Sequence, residues 1–340
     1  MEKIPIVLSA NDKFADLCSV AISSIIQNGN INNLYDIYIF YTRLSNENIK
    51  RLEQNTKQNI SIKCINISEF IDFKNLYEIE NYTYEIYYRY YIPLILKYEK
   101  VIYLDSDIIV VDDIAKLYNE DIGDAPVGVV RDFTHYIDHS NFDFNSGIML
   151  INTKKFEELK IRDKCIELIK KNNFRFPDQN ALNIVCKDNA YLLDPKYNYQ
   201  VSLAYYHRFK KEIRKNKFKQ KFEEEPIIIH FSYVTKPTNN IYSKYNKDFW
   251  KYAKYTPYYN QLVDKFLADP YKVLRESPIE DIYIDMAEEG KVGLRKIFET
   301  LLYQLKYWIL YKIRRKDKCK NEKDKRITKK NSTSDLSKNK

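Results

Sequence analysis

Compact apolar runs alternate with amphipathic segments at the start of the chain. Three such runs predict strands buried on both faces of a parallel sheet: Ile4–Leu8, Tyr35–Tyr41 and Ile60–Ile67. Between them, Ala15–Gln27 has helical spacing with Gly29 as a stop, and Ser45 can cap a second helix. The order strand, helix, strand, helix, strand indicates the first half of an open α/β sheet.

The later pattern is less regular and ends in helical spacing. Four further apolar runs predict strands: Val101–Leu104, Val127–Val130, Gly147–Ile151 and Ile227–Phe231. After about Tyr245 the apolar residues recur at helical intervals. We therefore predict an α/β domain over residues 1–255, a helical, amphipathic and basic segment over 256–315, and a disordered polar tail over 316–340.

The net charge of +9 is concentrated near the end of the 340-residue chain. Residues 312–330 contain 11 Lys and Arg against 3 Asp and Glu, a difference of +8. The rest of the chain is close to neutral, which argues against nucleic acid as a partner. The basic cluster instead favours an anionic membrane surface.

Cysteine usage and the lack of a long apolar segment bear on the compartment. The five cysteines contain no Cys-x-x-Cys pair and are odd in number, which argues against a disulfide framework or a cysteine zinc site. No signal peptide and no run of roughly 18 apolar residues is found. We expect a cytoplasmic protein, soluble or peripheral at the inner face of the cell membrane.

The strongest local signal is a pair of carboxylates, Asp105 and Asp107, within an apolar run. Side chains at i and i+2 of an extended chain point to the same side, where a hard divalent cation could bridge them to a diphosphate. A metal would also compensate for the absence of both glycine-rich phosphate loops, the dinucleotide fingerprint and the P-loop. The alternative is a simple turn that closes a strand.

His230 directly follows Ile227–Ile229, near the end of the predicted strand, so it should lie at the rim of the sheet, where α/β proteins bind ligands. Two Asp and one His suit Mn²⁺ better than Mg²⁺, which is the alternative cofactor, and nearby Lys236 suits phosphate. A hydrogen-bonded structural histidine is the competing interpretation.

Three further polar motifs interrupt apolar segments. Asn145-Ser-Gly147 is predicted to be a turn that enters a buried strand, with its side chains at the sheet rim. Asp178 precedes the helical run Ala181–Cys186, for which it could be the N-cap. Arg89 lies among tyrosines and could bind phosphate or a carboxylate, or pack on the rings as a surface residue.

Taken in order, these motifs resemble glycosyltransferase family 8, the retaining enzymes that include lipopolysaccharide galactosyl- and glucosyltransferases and the glycogenin group. The resemblance covers residues 4–250 and implies a GT-A-type fold, a single Rossmann-like mixed sheet flanked by helices. It rests on six short motifs: Ile6-Val-Leu-Ser-Ala-Asn11-Asp12, Tyr88-Arg89-Tyr90, Tyr103-Leu-Asp105-Ser-Asp107, Phe144-Asn145-Ser-Gly147, Asp178-Gln179, and His230-Phe with Lys236-Pro237.

The resemblance also implies a role for each motif. The metal ligands would be Asp105, Asp107 and His230. The donor-binding residues would be Ala10, Asn11, Arg89, Asp105, Ser106, Asn145, Ser146, Asp178 and Lys236. Gln179 and Asp178 would be catalytic, with Gln179 beside the anomeric carbon, and Asp132 would contact the acceptor. The chain departs from the family at Asn11, usually acidic, at Tyr233, usually glycine, and at Thr238, usually tryptophan.

The function implied is transfer of a hexose, from UDP-galactose or UDP-glucose, to a saccharide or glycolipid acceptor in lipopolysaccharide, capsule or other surface-glycan synthesis. A UDP-N-acetylhexosamine transferase is the alternative within this class. A nucleotidyltransferase would also need acidic metal ligands, although it would normally have a glycine-rich loop. A protein that binds anionic surfaces without catalysis is the alternative from another class.

Residues 291–316 predict the membrane contact. Apolar residues recur there at helical spacing, with Lys and Arg between them. They are Leu294, Ile297, Phe298, Leu301, Leu302, Leu305, Trp308 and Ile309. The alternative is a helix packed on the α/β domain.

Overall fold

The centre of the protein is a seven-stranded mixed sheet, seen in a computed structural model that describes residues 2–78, 83–132, 143–201, 225–232, 236–238 and 245–268. The strand order is β3-β2-β1-β4-β7-β6-β8. In chain order these strands are β1 (Lys3–Ser9), β2 (Leu34–Tyr41), β3 (Ile60–Asn66), β4 (Lys100–Leu104), β6 (Val127–Arg131), β7 (Phe144–Asn152) and β8 (Tyr191–Leu192).

A second sheet of three short strands lies beyond the Asp105–Asp107 segment. It has the order β5-β10-β9 and consists of β5 (Ile108–Val110), β9 (Tyr199–Gln200) and β10 (Ile228–His230). The prediction of a mixed sheet flanked by helices is confirmed, but this small second sheet was not part of it. β10 lies within the predicted strand Ile227–Phe231, whereas β5 and β9 have three and two residues, which is too short for a periodic pattern to reveal.

The helices follow the predicted alternation in the first half of the chain. They are α1 (Ala15–Asn28), α2 (Asn46–Glu53), α3 (Ile92–Ile95), α4 (Ala115–Tyr118), α5 (Thr153–Glu158), α6 (Ile161–Lys171), α7 (Pro177–Cys186), α8 (Asn246–Ala253) and α9 (Tyr259–Ala268). The predicted cap of α2 is confirmed, because the Ser45 side chain accepts a hydrogen bond from the Asn48 amide. A 3₁₀ helix, Tyr84–Tyr91, carries Arg89.

Strand direction brings the polar motifs to one edge of the large sheet. β1 runs parallel to both β2 and β4, so the carboxyl ends of these strands lie side by side. β7 is antiparallel to β4 and begins at the same edge, with Leu104 opposite Ile148. β10 pairs with β5 so that His230 lies opposite Ile108. The edge therefore gathers the loop after β1, the Asp105–Asp107 bend, the start of β7 and the end of β10.

Two local predictions were wrong. Asn145, Ser146 and Gly147 are not a turn before the strand but belong to β7 itself. Their pairing with β6 shifts register between Val129 and Val130, a bulge that depends on the partner strand. Asp178 is not the N-cap of α7, because the helix already begins at Pro177. The Asp178 side chain instead contacts Arg89 and Ser146.

The helices α8 and α9 pack on the sheet domain. Tyr258 and Leu262 are buried in the same hydrophobic core as α1, and Lys265 pairs with the buried Asp16. Packing against the core therefore continues beyond residue 255. The amphipathic segment 291–316 and the polar tail lie outside the described residues. Within the described part of the chain, no helix is both long and apolar enough to cross a membrane.

Candidate active site at the carboxyl edge of the sheet

Three potential metal ligands converge where the two sheets meet. One ligand atom each from Asp105, Asp107 and His230 lies within 4.8 Å of the others. His230 Nε2 is 3.3 Å from Asp107 Oδ1 and 3.9 Å from Asp105 Oδ2. The two carboxylates lie in the bend between β4 and β5, so the turn that competed with the metal-site interpretation is what brings them together. One imidazole nitrogen with carboxylate oxygens is a donor set that divalent cations such as Mn²⁺ accept.

Gly147 leaves the space that this cluster needs. A Cβ on Gly147 would lie 2.5 Å from His230 Cε1 and 2.7 Å from Asp105 Oδ2. The family motif therefore has a steric reason to contain glycine here, because any side chain would push the ligands apart.

We expect Gly147→Ala to weaken Mn²⁺ binding by about tenfold or more, because the added methyl overlaps two ligands at once and overpacking typically costs about 1–3 kcal/mol. Titration of the purified protein with Mn²⁺ measures this. Gly128→Ala is the matched control, since its Cβ would meet Ile122 Cγ2 at 2.8 Å within the same sheet but away from the ligands. Equal Mn²⁺ affinity in the two variants would contradict the steric argument.

Lys236 provides a positive charge beside the cluster. Its Nζ is 2.7 Å from Asp107 Oδ2. Burial alone would raise the pKa of the Asp107 carboxyl, but the Lys236 ammonium and the neighbouring His230 imidazole hold that pKa well below its usual range. Asp107 is therefore a carboxylate at neutral pH and available as a metal ligand.

Arg89 is buried rather than on the surface, so the surface alternative was wrong. Its Nη2 is 3.0 Å from Asp105 Oδ1 and 3.2 Å from Asp178 Oδ2, and its guanidinium lies 4.4 Å from the Tyr103 ring centroid. Arg89 Nη1 also donates to the Ser146 carbonyl. Desolvation opposes the charge of Arg89, but Tyr103 and the two carboxylates raise its pKa overall. The Arg89 guanidinium thus joins the Asp105–Asp107–His230 cluster to the start of α7.

Asp178 is held from several sides. Its Oδ2 accepts a hydrogen bond from Ser146 Oγ at 3.1 Å, besides its contact with Arg89. The Tyr90 hydroxyl donates to the Asp178 carbonyl at 2.8 Å. Burial raises the pKa of the Asp178 carboxyl, and Arg89 opposes that shift. These partners fix the start of α7 against β7.

Gln179 lies between the predicted donor and acceptor residues. Its Oε1 accepts from the Ser146 amide and from Asn145 Nδ2, each at 3.2 Å, and its Nε2 donates to Asp132 Oδ2 at 2.8 Å. Asp132 directly follows β6 and is buried. The structure thus brings together in one polar group the residues expected to bind metal, donor and acceptor.

Comparison with known proteins shows the family. The model of glycosyl transferase family 8 matches residues 5–241. The chain belongs to glycosyltransferase family 8. It is 30% identical over 257 residues to lipopolysaccharide glucosyltransferase WaaO of Escherichia coli (strain K12), covering 69% of this chain and 72% of that protein.

A further curated protein and a solved structure are also similar to this chain. Glycosyltransferase GlyF of Streptococcus pneumoniae serotype 4 (strain ATCC BAA-334 / TIGR4) is 28% identical over 248 residues, which cover 72% of this chain but only 60% of GlyF. The solved structure of the galactosyltransferase LgtC with donor and acceptor sugar analogues superposes with a TM-score of 0.63 at 20% identity, covering 75% of this chain and 96% of LgtC. This likeness confirms the GT-A-type fold.

The loop after β1 contains Ala10 and Asn11, the residues expected to bind the nucleotide base. The Ala10 amide donates to the Phe40 carbonyl at 3.1 Å. Asn11 Oδ1 accepts from the Lys13 amide at 3.0 Å, and Ser106 Oγ donates to the Ser9 carbonyl at 2.6 Å. The start of this loop is thereby hydrogen-bonded to the bend that contains Asp105 and Asp107. Tyr233, one of the departures from the family, lies outside the described residues, and Thr238 is buried.

Asn198 is a site residue that the sequence analysis missed. Its side chain is fully buried and contacts both His230 and Asn145. It lies in Tyr197-Asn-Tyr199, between a short 3₁₀ helix and β9, where no local pattern distinguishes it from a loop asparagine. The pairing of β9 with β10 brings it to the site.

Proposed function

We propose that this family 8 member is a retaining, metal-dependent hexosyltransferase that uses a UDP-hexose, UDP-galactose or UDP-glucose, as donor. One observation carries the proposal: Arg89 joins the Asp105–Asp107–His230 cluster to Asp178 and to the Ser146 backbone, whose amide donates to Gln179. A site that holds a metal–diphosphate at one end and polar sugar-binding groups at the other has the layout that a nucleotide sugar requires.

Each side chain then has a defined task. Asp105, Asp107 and His230 hold the cation, which when bound neutralises the diphosphate and so makes it a better leaving group. Lys236 adds a second positive charge beside Asp107. Asn145, Ser146, Asp178 and Arg89 supply the donors and acceptors that position the sugar, and Ala10 and Asn11 bind the base. Mn²⁺ is the proposed ion and Mg²⁺ its substitute, since a nitrogen ligand suits the former better.

The acceptor is proposed to be a saccharide or glycolipid of a bacterial surface glycan. The names of the relatives support this, because two of them are lipopolysaccharide glucosyltransferases of Escherichia coli. Asp132 is the proposed acceptor contact, since it is bonded to Gln179 and buried at the sheet edge. The proposed domain division gives residues 1–255 the catalytic role.

Release of nucleoside diphosphate tests the function directly. The purified protein with Mn²⁺ should release UDP from UDP-glucose or UDP-galactose, slowly in water and faster with a saccharide acceptor. UDP-N-acetylglucosamine tests the alternative hexosamine donor. Asp112→Asn is the matched control, since Asp112 is an exposed carboxylate just after β5 that pairs with Lys116. Release of pyrophosphate from a nucleoside triphosphate, with every nucleotide sugar left intact, would instead support a nucleotidyltransferase.

We also propose that residues 291–316 bind an anionic membrane, with 316–340 as a polar tail. The support is the amphipathic sequence and the basic cluster that follows it, each basic residue near such a surface contributing about 1 kcal/mol.

A protein truncated after Gly290 should lose binding to vesicles that contain anionic lipid, because it lacks both the apolar face and the basic cluster. It should still hydrolyse the donor. Sedimentation with vesicles, with and without anionic lipid, is the measurement. Undiminished binding by the truncated protein would contradict the assignment, and equal binding of the full chain to neutral vesicles would remove its electrostatic basis.

A further inference from the structure

An unbroken chain of side-chain hydrogen bonds runs from His230, one of the candidate metal ligands, to Asp132, the proposed acceptor residue. His230 Nδ1 is 3.1 Å from Asn198 Oδ1, and Asn198 Nδ2 donates to Asn145 Oδ1 at 2.8 Å. Asn145 Nδ2 then donates to Gln179 Oε1 at 3.2 Å, and Gln179 Nε2 donates to Asp132 Oδ2 at 2.8 Å. Three carboxamides in a row therefore separate the imidazole from the carboxylate.

All three carboxamides point in the same direction, with each NH₂ group towards Asp132. The groups at the two ends of the chain, Asp132 and His230, require this orientation of the carboxamides. A carboxylate can only accept, so Gln179 must present its NH₂ to Asp132. At the other end, a cation held by His230 Nε2 would require the lone pair of that nitrogen, which leaves Nδ1 to carry the proton and donate to Asn198 Oδ1.

Two backbone amides lock the direction from outside the chain of side chains. The Gly147 amide donates to Asn145 Oδ1 at 3.0 Å, and the Ser146 amide donates to Gln179 Oε1 at 3.2 Å. Backbone N–H groups can only donate, so neither Asn145 nor Gln179 can rotate its carboxamide without placing NH₂ against N–H. The side-chain hydrogen bonds of Asn198 go to His230 and Asn145, which are both members of the same hydrogen-bond chain.

Asn198 is fully buried, so the loss of its hydrogen bonds is costly. A buried hydrogen bond in a polar network cannot be exchanged for one to bulk water, so a missing donor or acceptor leaves its partner unsatisfied. The residue touches neither metal-binding carboxylate in the structure. Its influence on the site must pass through His230 on one side and Asn145 on the other.

We propose that Asn198 is a positioning residue that sets two groups at once, the ring of His230 for metal binding and the carboxamide of Gln179 beside the sugar. This inference rests on the proposed function for the role of Gln179. The hydrogen-bond chain couples the two tasks, because Asn198 can present its oxygen to His230 only when its nitrogen faces Asn145.

Asn198→Asp separates the two tasks. The aspartate keeps an acceptor for His230 Nδ1 but presents a second oxygen to Asn145 Oδ1, and the Gly147 amide prevents Asn145 from rotating to relieve the contact. Mn²⁺ affinity, measured by calorimetry without nucleotide, should stay within about threefold of the wild type. The kcat of donor hydrolysis should fall about tenfold or more, as expected for the loss of one buried hydrogen bond.

Asn198→Ala removes the hydrogen bonds to both His230 and Asn145. It should weaken Mn²⁺ binding and lower kcat, each by about tenfold. The imidazole tautomer supplies a readout that needs no turnover. In ¹⁵N–¹H spectra recorded with a diamagnetic cation such as Mg²⁺ bound, His230 should carry its proton on Nδ1 in the wild type and in Asn198→Asp, and should lose that preference in Asn198→Ala. Thermal unfolding of each variant shows whether it is folded.

Three results would overturn the proposal: an Nε2-protonated His230 in the wild type, unchanged kcat in Asn198→Asp, or unchanged Mn²⁺ affinity in Asn198→Ala. If a variant fails to fold, the wild-type tautomer still decides. Failure of the proposed function is a separate result, since it would leave every nucleotide sugar unhydrolysed by the wild type while the tautomer and Mn²⁺ measurements still report on Asn198.

Discussion

Replacement of Asp107 by Asn is expected to remove nearly all donor turnover while leaving the fold intact. Asp107 combines a contact with His230 Nε2 at 3.3 Å and an ion pair with Lys236 at 2.7 Å, so its negative charge serves both the candidate metal ligands and Lys236, the proposed diphosphate contact. Loss of groups that merely support metal ligands typically costs about 10- to 100-fold in affinity or activity. Loss of a ligand itself should exceed about a hundredfold.

Asn is preferred to Ala because it preserves packing. The side chain is half-buried beside Lys236, whose Nζ lies 2.7 Å from Asp107 Oδ2, and an asparagine keeps an oxygen at that position. The Asp107 carbonyl accepts from the Phe231 amide at 2.8 Å, a backbone contact that joins the bend to β10 and does not need the side chain. The thermal unfolding midpoint of Asp107→Asn should therefore stay close to that of the wild type.

Removal of the metal tests the same dependence on a divalent cation without any substitution. Excess chelator should abolish UDP release by the wild type, and added Mn²⁺ should restore it more fully than Mg²⁺. Asp107→Asn should regain little activity even at high Mn²⁺, whereas the Asp112→Asn control should respond like the wild type. Full turnover in chelator, with metal loss verified by elemental measurement, would refute metal dependence.

The parts of this site that the sequence predicts share one property, namely a position defined by strand ends. Asp105 and Asp107 follow an apolar strand and His230 ends another, so sheet geometry alone places them at a rim. Their convergence also required the bend between β4 and β5, which puts the two carboxylates into a link between sheets rather than along one strand.

What the sequence could not provide depends on contacts between distant segments. Arg89 among tyrosines is compatible with a surface or a buried position, and only Asp105 and Asp178 on other elements decide it. The extent of β7 depends on a bulge in its pairing with β6. Asn198 has no periodicity, charge or motif of its own, and its importance follows entirely from the two carboxamide contacts that it makes.

The stereochemical outcome is the second large effect, and we expect an α-configured donor to give an α-linked product. Inversion would require a free base on the acceptor side, opposite the leaving group. Asp178 is engaged with Arg89 and Ser146, and the amide of Gln179 is too weak a base to accept a proton at neutral pH. The leaving diphosphate, next to Lys236, is then the base best placed to receive the acceptor proton. It lies on the face from which the acceptor must attack, which gives retention.

Asp132 is the carboxylate that could overturn this argument. Its Oδ2 lies 2.8 Å from Gln179 Nε2, close to the proposed acceptor position. If Asp132 were a general base, Asp132→Asn would abolish transfer and the wild-type product would be β-linked. If it only binds the acceptor, Asp132→Asn should raise the KM for acceptor and leave hydrolysis of the donor in water nearly unchanged.

Gln179→Ala tests the contribution of the carboxamide to the same step. Its carbonyl dipole can stabilise positive charge that develops at the anomeric carbon, and loss of one such preorganised dipole typically costs about a hundredfold in kcat. Donor binding should change much less, because Arg89, Asn145 and Asp178 remain. Gln179→Glu addresses the rival double displacement, in which a covalent glycosyl adduct would accumulate and be detected by intact-protein mass spectrometry. Proton NMR of the wild-type product decides the outcome, since a β-linkage from an α-configured donor would refute both retaining mechanisms.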